Sequence, residues 1–397
     1  MKKKILSLLV FLYLVSLFIF DNERDLIFVY VSNILMLAWY FIFYFRRSRF
    51  YFYDNPLIKY FGIFVVINII SIIWSIDISV AFFRSLTLIQ VFINSVVIFN
   101  ILKITNTKDS LLLASFVCSL YHFLILIEVF EIQSHHYLYN RFLGTTTNSN
   151  ILAIYMFFSV FGSLYFLLKD KLNIIYKIFL FLNIITSLFV ITFTQSKKGV
   201  IFSFLIITIS LLQFIKPNRG FFKRIFKFSF AILAVIYLYP LFFDLEILTQ
   251  NFDNIFKRLE QLTFLIDSQA ATDGSTEDRL EFTNLALNTF YSNPFLGVGS
   301  NNFSVLYPRS GYSHNNFVEI LANLGIVGFI PFYMLYYFTK RKLDKISVKK
   351  IKILLMCFTA LLLIMEFALV TYYSKYLIII LFWLFLTAEN YNNKNVE

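Results

Sequence analysis

Charge is scarce in this chain of 397 residues: Asp, Glu, Lys and Arg make up 15% of it, against about 25% in a soluble protein. Cysteine is nearly missing. Cys118 and Cys357 both lie inside apolar runs, so each reads as a small core residue, not as half of a disulfide or as a metal ligand. Glycine (11) and proline (6) are also few, which excludes low-complexity and linker-rich architectures. There is no Walker loop, no G-x-G-x-x-G after a strand, no H-E-x-x-H and no zinc-like Cys/His spacing. Gly297-Val298-Gly299 is too short for a dinucleotide signature, and ATP-driven transport has no engine here. What fills the chain is apolar: 59% hydrophobic residues, 52 Phe among them, and a mean hydropathy of +0.74. Length alone would allow two or three soluble domains, but no soluble core could take up that much Phe, Ile and Leu. Continuous apolar runs, instead of alternation, exclude an outer-membrane barrel. The chain reads as an all-α polytopic membrane protein.

Apolar runs mark twelve spans: 5–20, 26–45, 57–75, 81–102, 111–130, 151–168, 174–194, 199–215, 225–243, 317–338, 351–370 and 376–388. Lys2-Lys3-Lys4 before the first run resembles a signal peptide, but no small-residue cleavage site follows, so a retained first helix is expected. With the N-terminus inside, the cytoplasmic loops and both termini hold 25 of the 35 Lys+Arg. That bias explains the net charge of +12 without nucleic acid and sets both termini in the cytoplasm. The expected organisation is helices 1–9 over 1–243, an external loop over 244–316, and helices 10–12 with a cytoplasmic tail over 317–397.

The cations left outside are Arg24, Arg141, Lys197, Lys198, Lys257, Arg258, Arg279, Arg309 and Lys375. Lys197 and Lys198 share a very tight external turn, and Arg84 lies about one turn inside its helix, where it either snorkels or meets a partner. Glu366, inside the span 351–370, is expected to pair with a cation on a neighbouring helix or to take part in catalysis. In the long loop, Phe252, Ile255, Phe256, Leu259, Leu262 and Ile266 fall at helical spacing, which predicts a helix lying on the membrane. Ser275 is the expected N-cap of a second helix that reaches Tyr291, with Arg279 on a stripe with Phe282, Ala286 and Phe290. Gly297, Gly299, Gly311, Gly325 and Gly328 with Pro294, Pro308 and Pro331 crowd into one short stretch, so a shaped backbone is expected where this loop meets the span 317–338. His314 sits at that join, wet on one side and screened on the other, which suits a general base or a helix cap. Asn315 and Glu319 would share a helix face beside it. His135-His136 is a lone pair in a polar loop and is given no ligand role.

Taken together, these residues resemble the O-antigen ligase/polymerase superfamily. The stretch Asp278-Arg279, then Pro294-Phe295-Leu296-Gly297-Val298-Gly299 followed by Ser300-Asn301-Asn302-Phe303, then His314-Asn315, Glu319 and Gly325-Ile326-Val327-Gly328 is similar to its signature. Arg141-Phe142-Leu143-Gly144 with Asn148-Ser149-Asn150 resembles its R-x-x-G…N segment. Ser196-Lys197-Lys198-Gly199 resembles its S-R-x-G turn, with Lys197 in the usual place of Arg. The resemblance implies a fold similar to the C-type glycosyltransferases, with about 12 transmembrane helices and one large external loop. It also implies inverting glycosyl transfer on the outer face of the bacterial inner membrane, without cofactor or metal. The donor would be a glycan on undecaprenyl pyrophosphate, and the acceptor a glycan or lipid-linked glycan. His314 matches the residue that activates the acceptor hydroxyl, and Arg279 and Lys197 match the pyrophosphate-binding cations, with Arg141 a third. Arg84, Lys198, Arg309, Asn315 and Glu319 join the expected substrate-binding set.

Two readings within the family differ by acceptor, and the sequence shows no acceptor signature: a polymerase of repeat units for O-antigen or capsule is the expected one, with a ligase that moves the finished polymer to lipid A-core or protein as the alternative. A flippase for the same lipid-linked sugars is the reading from another class. It predicts functional residues near mid-membrane, whereas the cations here gather on the outer side. Expected partners are membrane lipids, a flippase and a chain-length regulator.

Overall fold

A computed structural model describes residues 2–20, 26–44, 55–128, 137–138, 141–169, 172–214, 274–309 and 311–393. The expected span 225–243, the stretch 252–266, Lys257, Arg258 and His135-His136 lie outside these residues. The described chain is almost entirely helical: α1 (Lys2–Ile19), α2 (Leu26–Phe43), α3 (Pro56–Ile70, continued by a 3-10 turn Ser71–Trp74), α4 (Ile78–Thr105), α5 (Ser110–Leu126), α6 (Ser149–Lys169), α7 (Ile174–Thr194), α8 (Lys197–Phe214), α9 (Gly274–Ser292), α10 (Phe303–Leu306), α11 (Asn316–Leu343), α12 (Lys349–Met365) and α13 (Lys375–Asn393). A two-stranded hairpin pairs Tyr137–Leu138 with Arg141–Phe142. Six of the described helices are long and apolar enough to cross a membrane: α2, α3 with its 3-10 turn, α4, α6, α7 and α11. The other expected spans fall on shorter or less apolar helices, or outside the described residues, so multi-pass membrane architecture stands while the number twelve does not follow.

Side-chain oxygens of Asn and Asp set several helix starts. Asn55, Asp77, Asn173 and Asn315 cap α3, α4, α7 and α11 by accepting hydrogen bonds from first-turn N–H groups. Helix α9 begins at Gly274, so Ser275 lies in its first turn instead of capping it.

The chain divides into two compact units. The first comprises residues 1–18, 24–114 and 272–397, and the second 19–23 and 115–271. In the first, α11 packs on α3, α9 and α13, and α4 packs on α3 and α13. In the second, α6 packs on α7 and α8. In the second unit a few polar residues hydrogen-bond inside a largely apolar interior, and the outward faces are apolar too, as expected for a helix bundle in lipid. Asn183 of α7 donates to Ser159 and Ser163 of α6 at 2.8 and 2.9 Å, while Ile174, Ile175, Phe179 and Leu182 of α7 face outward.

Helix α11 is broken at Gly325, whose φ of 60° and ψ of −164° no helix contains. The break frees the carbonyls of Ala322 and Asn323 and the N–H groups of Ile326 and Val327. The segment after α9 takes all four. Val298 and Gly299 donate to Ala322 and Asn323 at 3.0 and 2.8 Å, and Ile326 and Val327 donate to the carbonyls of Pro294 and Phe295 at 2.9 and 3.3 Å. A Cβ on Gly325 would lie 2.2 Å from the Phe295 oxygen, and one on Gly297 would lie 2.4 Å from the Asn323 carbonyl carbon. Gly297 and Gly325 thus belong to one joint, a loop laid into a broken helix.

Candidate active site

The joint carries the site of the first unit. Residues 294–303 lock onto the end of α3: Trp74 donates to the Leu296 carbonyl at 3.2 Å, the Ser300 hydroxyl to Asn68 at 2.7 Å, and the Asp77 N–H to Asn302 at 2.6 Å. That register presents Asn301, itself at a φ of 58°, to α4, where its Oδ1 accepts a 2.8 Å hydrogen bond from Arg84. The Arg84 guanidinium also lies over the ring of Tyr373, 3.9 Å from its centroid. Half-buried Arg84 is therefore held by partners and does not simply snorkel.

His314 lies just before α11 with a φ of 60°, a left-handed conformation that costs a non-glycine residue free energy and marks an imposed geometry. Two neighbours impose it. Glu319, 1% exposed, accepts from the Ser313 N–H at 2.7 Å and from the Asn323 amide at 3.0 Å. Asn315 accepts from the N–H groups of Phe317 and Val318, while the Ser313 hydroxyl donates to the Asn315 carbonyl at 2.8 Å. Asn315 and Glu319 were expected against substrate; their oxygens are instead occupied in shaping the backbone around His314. The His314 ring packs beside Tyr312, centroids 4.1 Å apart, and faces Phe282 of α9 at 6.3 Å.

Tyr312 links the parts. Burial holds its phenol above the ordinary range, the neighbouring Tyr373 adds to that, and Arg279 pulls the other way. Burial likewise raises Tyr373, against the pull of Arg84. Both therefore stay as hydroxyls at neutral pH and can donate to an anion. Arg84, Arg279 and His314 are thus gathered around two tyrosines, with Arg279 exposed one turn before buried Phe282. Arg309 is turned away into an exposed 3.4 Å ion pair with Asp278.

Glu366 has no cation within ion-pair distance among the described residues, contrary to the expected salt bridge. Its carboxylate accepts from Tyr336 at 2.6 Å, Thr371 at 3.0 Å and Asn316 at 3.1 Å. Asn316 in turn accepts from the N–H groups of Thr371 and Tyr372. This cluster pins the 371–374 turn, and so Tyr373, to the start of α11.

In the second unit Arg141 donates to the Thr194 carbonyl at 3.0 Å and to Asn150 at 3.1 Å, and Ser196 donates to the same Asn150 oxygen at 3.0 Å. The two upstream motifs thus form one structure, in which Arg141 shapes the turn between α7 and α8. Gly144, at a φ of 57°, leaves room for buried His122, which a Cβ there would meet at 2.2 Å. Lys197 and Lys198 occupy the first turn of α8, where the helix dipole disfavours cations and an incoming anion would offset the repulsion.

Sequence reasoning missed Tyr312, Tyr373 and the role of Asn301. The signal existed in part: Thr371-Tyr372-Tyr373-Ser374-Lys375 is the polar break between the last two apolar runs.

Fold and site together describe a multi-pass membrane protein with phenols, guanidinium groups and an imidazole gathered at the end of one broken helix. Residues 182–333 match the family model for O-Antigen ligase, which supports the resemblance to the O-antigen ligase/polymerase superfamily. The matched region includes Lys197, Lys198, Arg279, Arg309, His314, Asn315 and Glu319, while Arg84, Arg141 and Tyr373 lie outside it. No curated protein matches the chain. The family consists of glycosyltransferase-type enzymes acting on lipid-linked glycans, which supports an enzymatic role and lends nothing to the flippase reading.

Proposed function

We propose that the protein is a polysaccharide polymerase. It joins oligosaccharide repeat units carried on undecaprenyl pyrophosphate by metal-independent, inverting glycosyl transfer on the outer face of the bacterial inner membrane, with both termini cytoplasmic. The observation that carries this reading is the gathering of His314, Arg279 and Arg84 around Tyr312 and Tyr373, beside the N-terminal end of α11. His314 takes the proton of the acceptor hydroxyl as that oxygen attacks the anomeric carbon. The bond from that carbon to the pyrophosphate oxygen breaks, and the electron pair leaves on the diphosphate. Negative charge grows there, and Arg279 and Arg84 stabilise it, helped by the tyrosine hydroxyls. Asn315 and Glu319 position the turn that presents His314, and Arg141 by itself shapes the turn before Lys197 and Lys198, which are donor-binding cations of the second unit.

A ligase acting on lipid A-core or protein would share every one of these steps and differ only in acceptor. The deciding experiment is the surface-glycan ladder of a deletion strain. Glycans capped with single repeat units support the polymerase, whereas lipid-linked polymer accumulating behind a bare surface overturns it in favour of the ligase. Purified protein in nanodiscs with lipid-linked donor should stay active in EDTA. Loss in EDTA with recovery in a divalent ion would overturn the metal-free mechanism and direct attention to Asp278, Glu281 and Glu319.

A further inference from the structure

Helix α11 has 28 residues across its break at Gly325, a path of at most about 42 Å at 1.5 Å each, enough to reach across a bilayer. With His314 at one end at one membrane surface, the other end lies in the headgroup layer of the opposite surface. A cavity of about 180 Å³ opens there, lined by Pro56, Phe338, Arg341, Lys342, Lys345 and Phe385. Its wall holds three cations and no acid, and among the described residues no carboxylate forms an ion pair with any of the three. The acid nearby, Asp344, is already paired with Lys340 at 2.8 Å. Two cations in the last turn of a helix would answer its dipole wherever they pointed. Here they share one cavity with Lys345, which lies past the helix end, and with the start of α3, whose N-terminal dipole adds positive potential. Lys342 lies 5.4 Å over the Phe385 ring, so its charge stays at the mouth of an aromatic wall.

We propose that this cavity binds the headgroup phosphate of an anionic phospholipid, with Arg341, Lys342 and Lys345 around the phosphate and Phe338 and Phe385 against the upper acyl chain. Depth selects the lipid: the cavity sits where phosphodiesters are concentrated and has an apolar wall that a free anion would not use. The site is separate from the one around His314 and does not depend on the reaction assigned there.

The test uses full-length protein in detergent, with retained lipids counted by native mass spectrometry after exposure to equal phosphatidylglycerol and phosphatidylcholine. Wild-type protein should retain phosphatidylglycerol preferentially. Equal retention of both lipids overturns the proposal without any variant. Replacing Arg341, Lys342 and Lys345 by Gln should lower the preference by roughly 100-fold, at about fivefold per cation near the membrane surface. A control replacing Lys59, Lys349 and Lys350 by Gln removes the same charge outside the cavity and should keep the preference. Loss in the control equal to that in the cavity variant would assign the effect to general basic charge and overturn the site. So would inorganic phosphate that displaces the lipid at millimolar concentration. If the triple variant does not fold, Lys342→Met alone should still cost about fivefold, and an unchanged preference there would also overturn the proposal.

Discussion

His314 and Arg279 have different jobs in the proposed reaction, and substitution separates them. His314→Ala should leave donor binding nearly intact while slowing transfer by about 10²–10⁴-fold, and it should abolish the acid limb of the rate–pH profile. Full activity in that variant would leave His314 as a helix-end residue only. Arg279→Ala should weaken donor binding, and Arg279→Lys should recover little, because a point charge cannot reproduce a planar two-bond contact. Lys197→Arg should be tolerated. Glu319 makes a different kind of contribution. Glu319→Ala would strip the Ser313 N–H of its buried acceptor, at about 1–3 kcal/mol of stability, and let His314 relax from its φ of 60°. Thermal unfolding in detergent together with kcat would register both effects. Because burial raises the phenols of Tyr312 and Tyr373, their ionisation sets in only above the usual tyrosine value of about 10. An alkaline loss of activity well below that pH would therefore point to another group.

Among the elements, the joint between the loop 294–299 and α11 carries the most structural consequence. Gly325→Ala puts a methyl group onto the Phe295 carbonyl in a left-handed backbone and should cost upward of about 1–3 kcal/mol, from strain alone. Activity should fall with it, since the same joint sets Asn301 against Arg84; unchanged melting and activity would mean the helix can close the break unaided. Gly325 lies nine residues past the first residue of α11, about 14 Å along the axis. With the proposed orientation, the loop that meets it should dip into the outer leaflet, where irregular backbone is tolerated because the helix partners it. Phe295, 70% exposed, should accordingly be in contact with lipid. A spin label at that position should respond to oxygen and not to a water-soluble relaxing agent.

At the scale of the whole molecule, the expected site residues are divided between the two compact units: Arg84, Arg279 and His314 lie in the first, and Arg141, Lys197 and Lys198 in the second. Each set is tested by itself. Donor lipid should slow chemical modification of Lys197 and Lys198, and unchanged modification would remove them from the donor-binding set. Topology offers a second check: a reporter placed after Lys257 should be external, and one within residues 340–352 cytoplasmic. The reverse result would remove the outer-face site.

Much of this was legible in the residue order because a membrane imposes one-dimensional rules. Apolar runs of about 20 residues must become helices, and so α2, α3, α4, α6, α7 and α11 stand where hydropathy puts them. Glycine and proline crowded between residues 294 and 331 announced a shaped backbone, since glycine adopts positive φ freely and proline ends a regular helix. Which backbone each glycine admits was not legible. That Gly297 and Gly325 serve one joint depends on contacts across the chain, as does the placing of Tyr373 over Arg84, 289 residues away along the sequence. Glu366 shows the same limit. An acid in an apolar run implies a partner, but whether that partner is a cation or a ring of hydroxyl and amide donors is decided by what packs beside it. Residue type and spacing determined the helices and the inventory of charges; tertiary packing alone decided which charges meet, because contact requires proximity in space that no local pattern encodes.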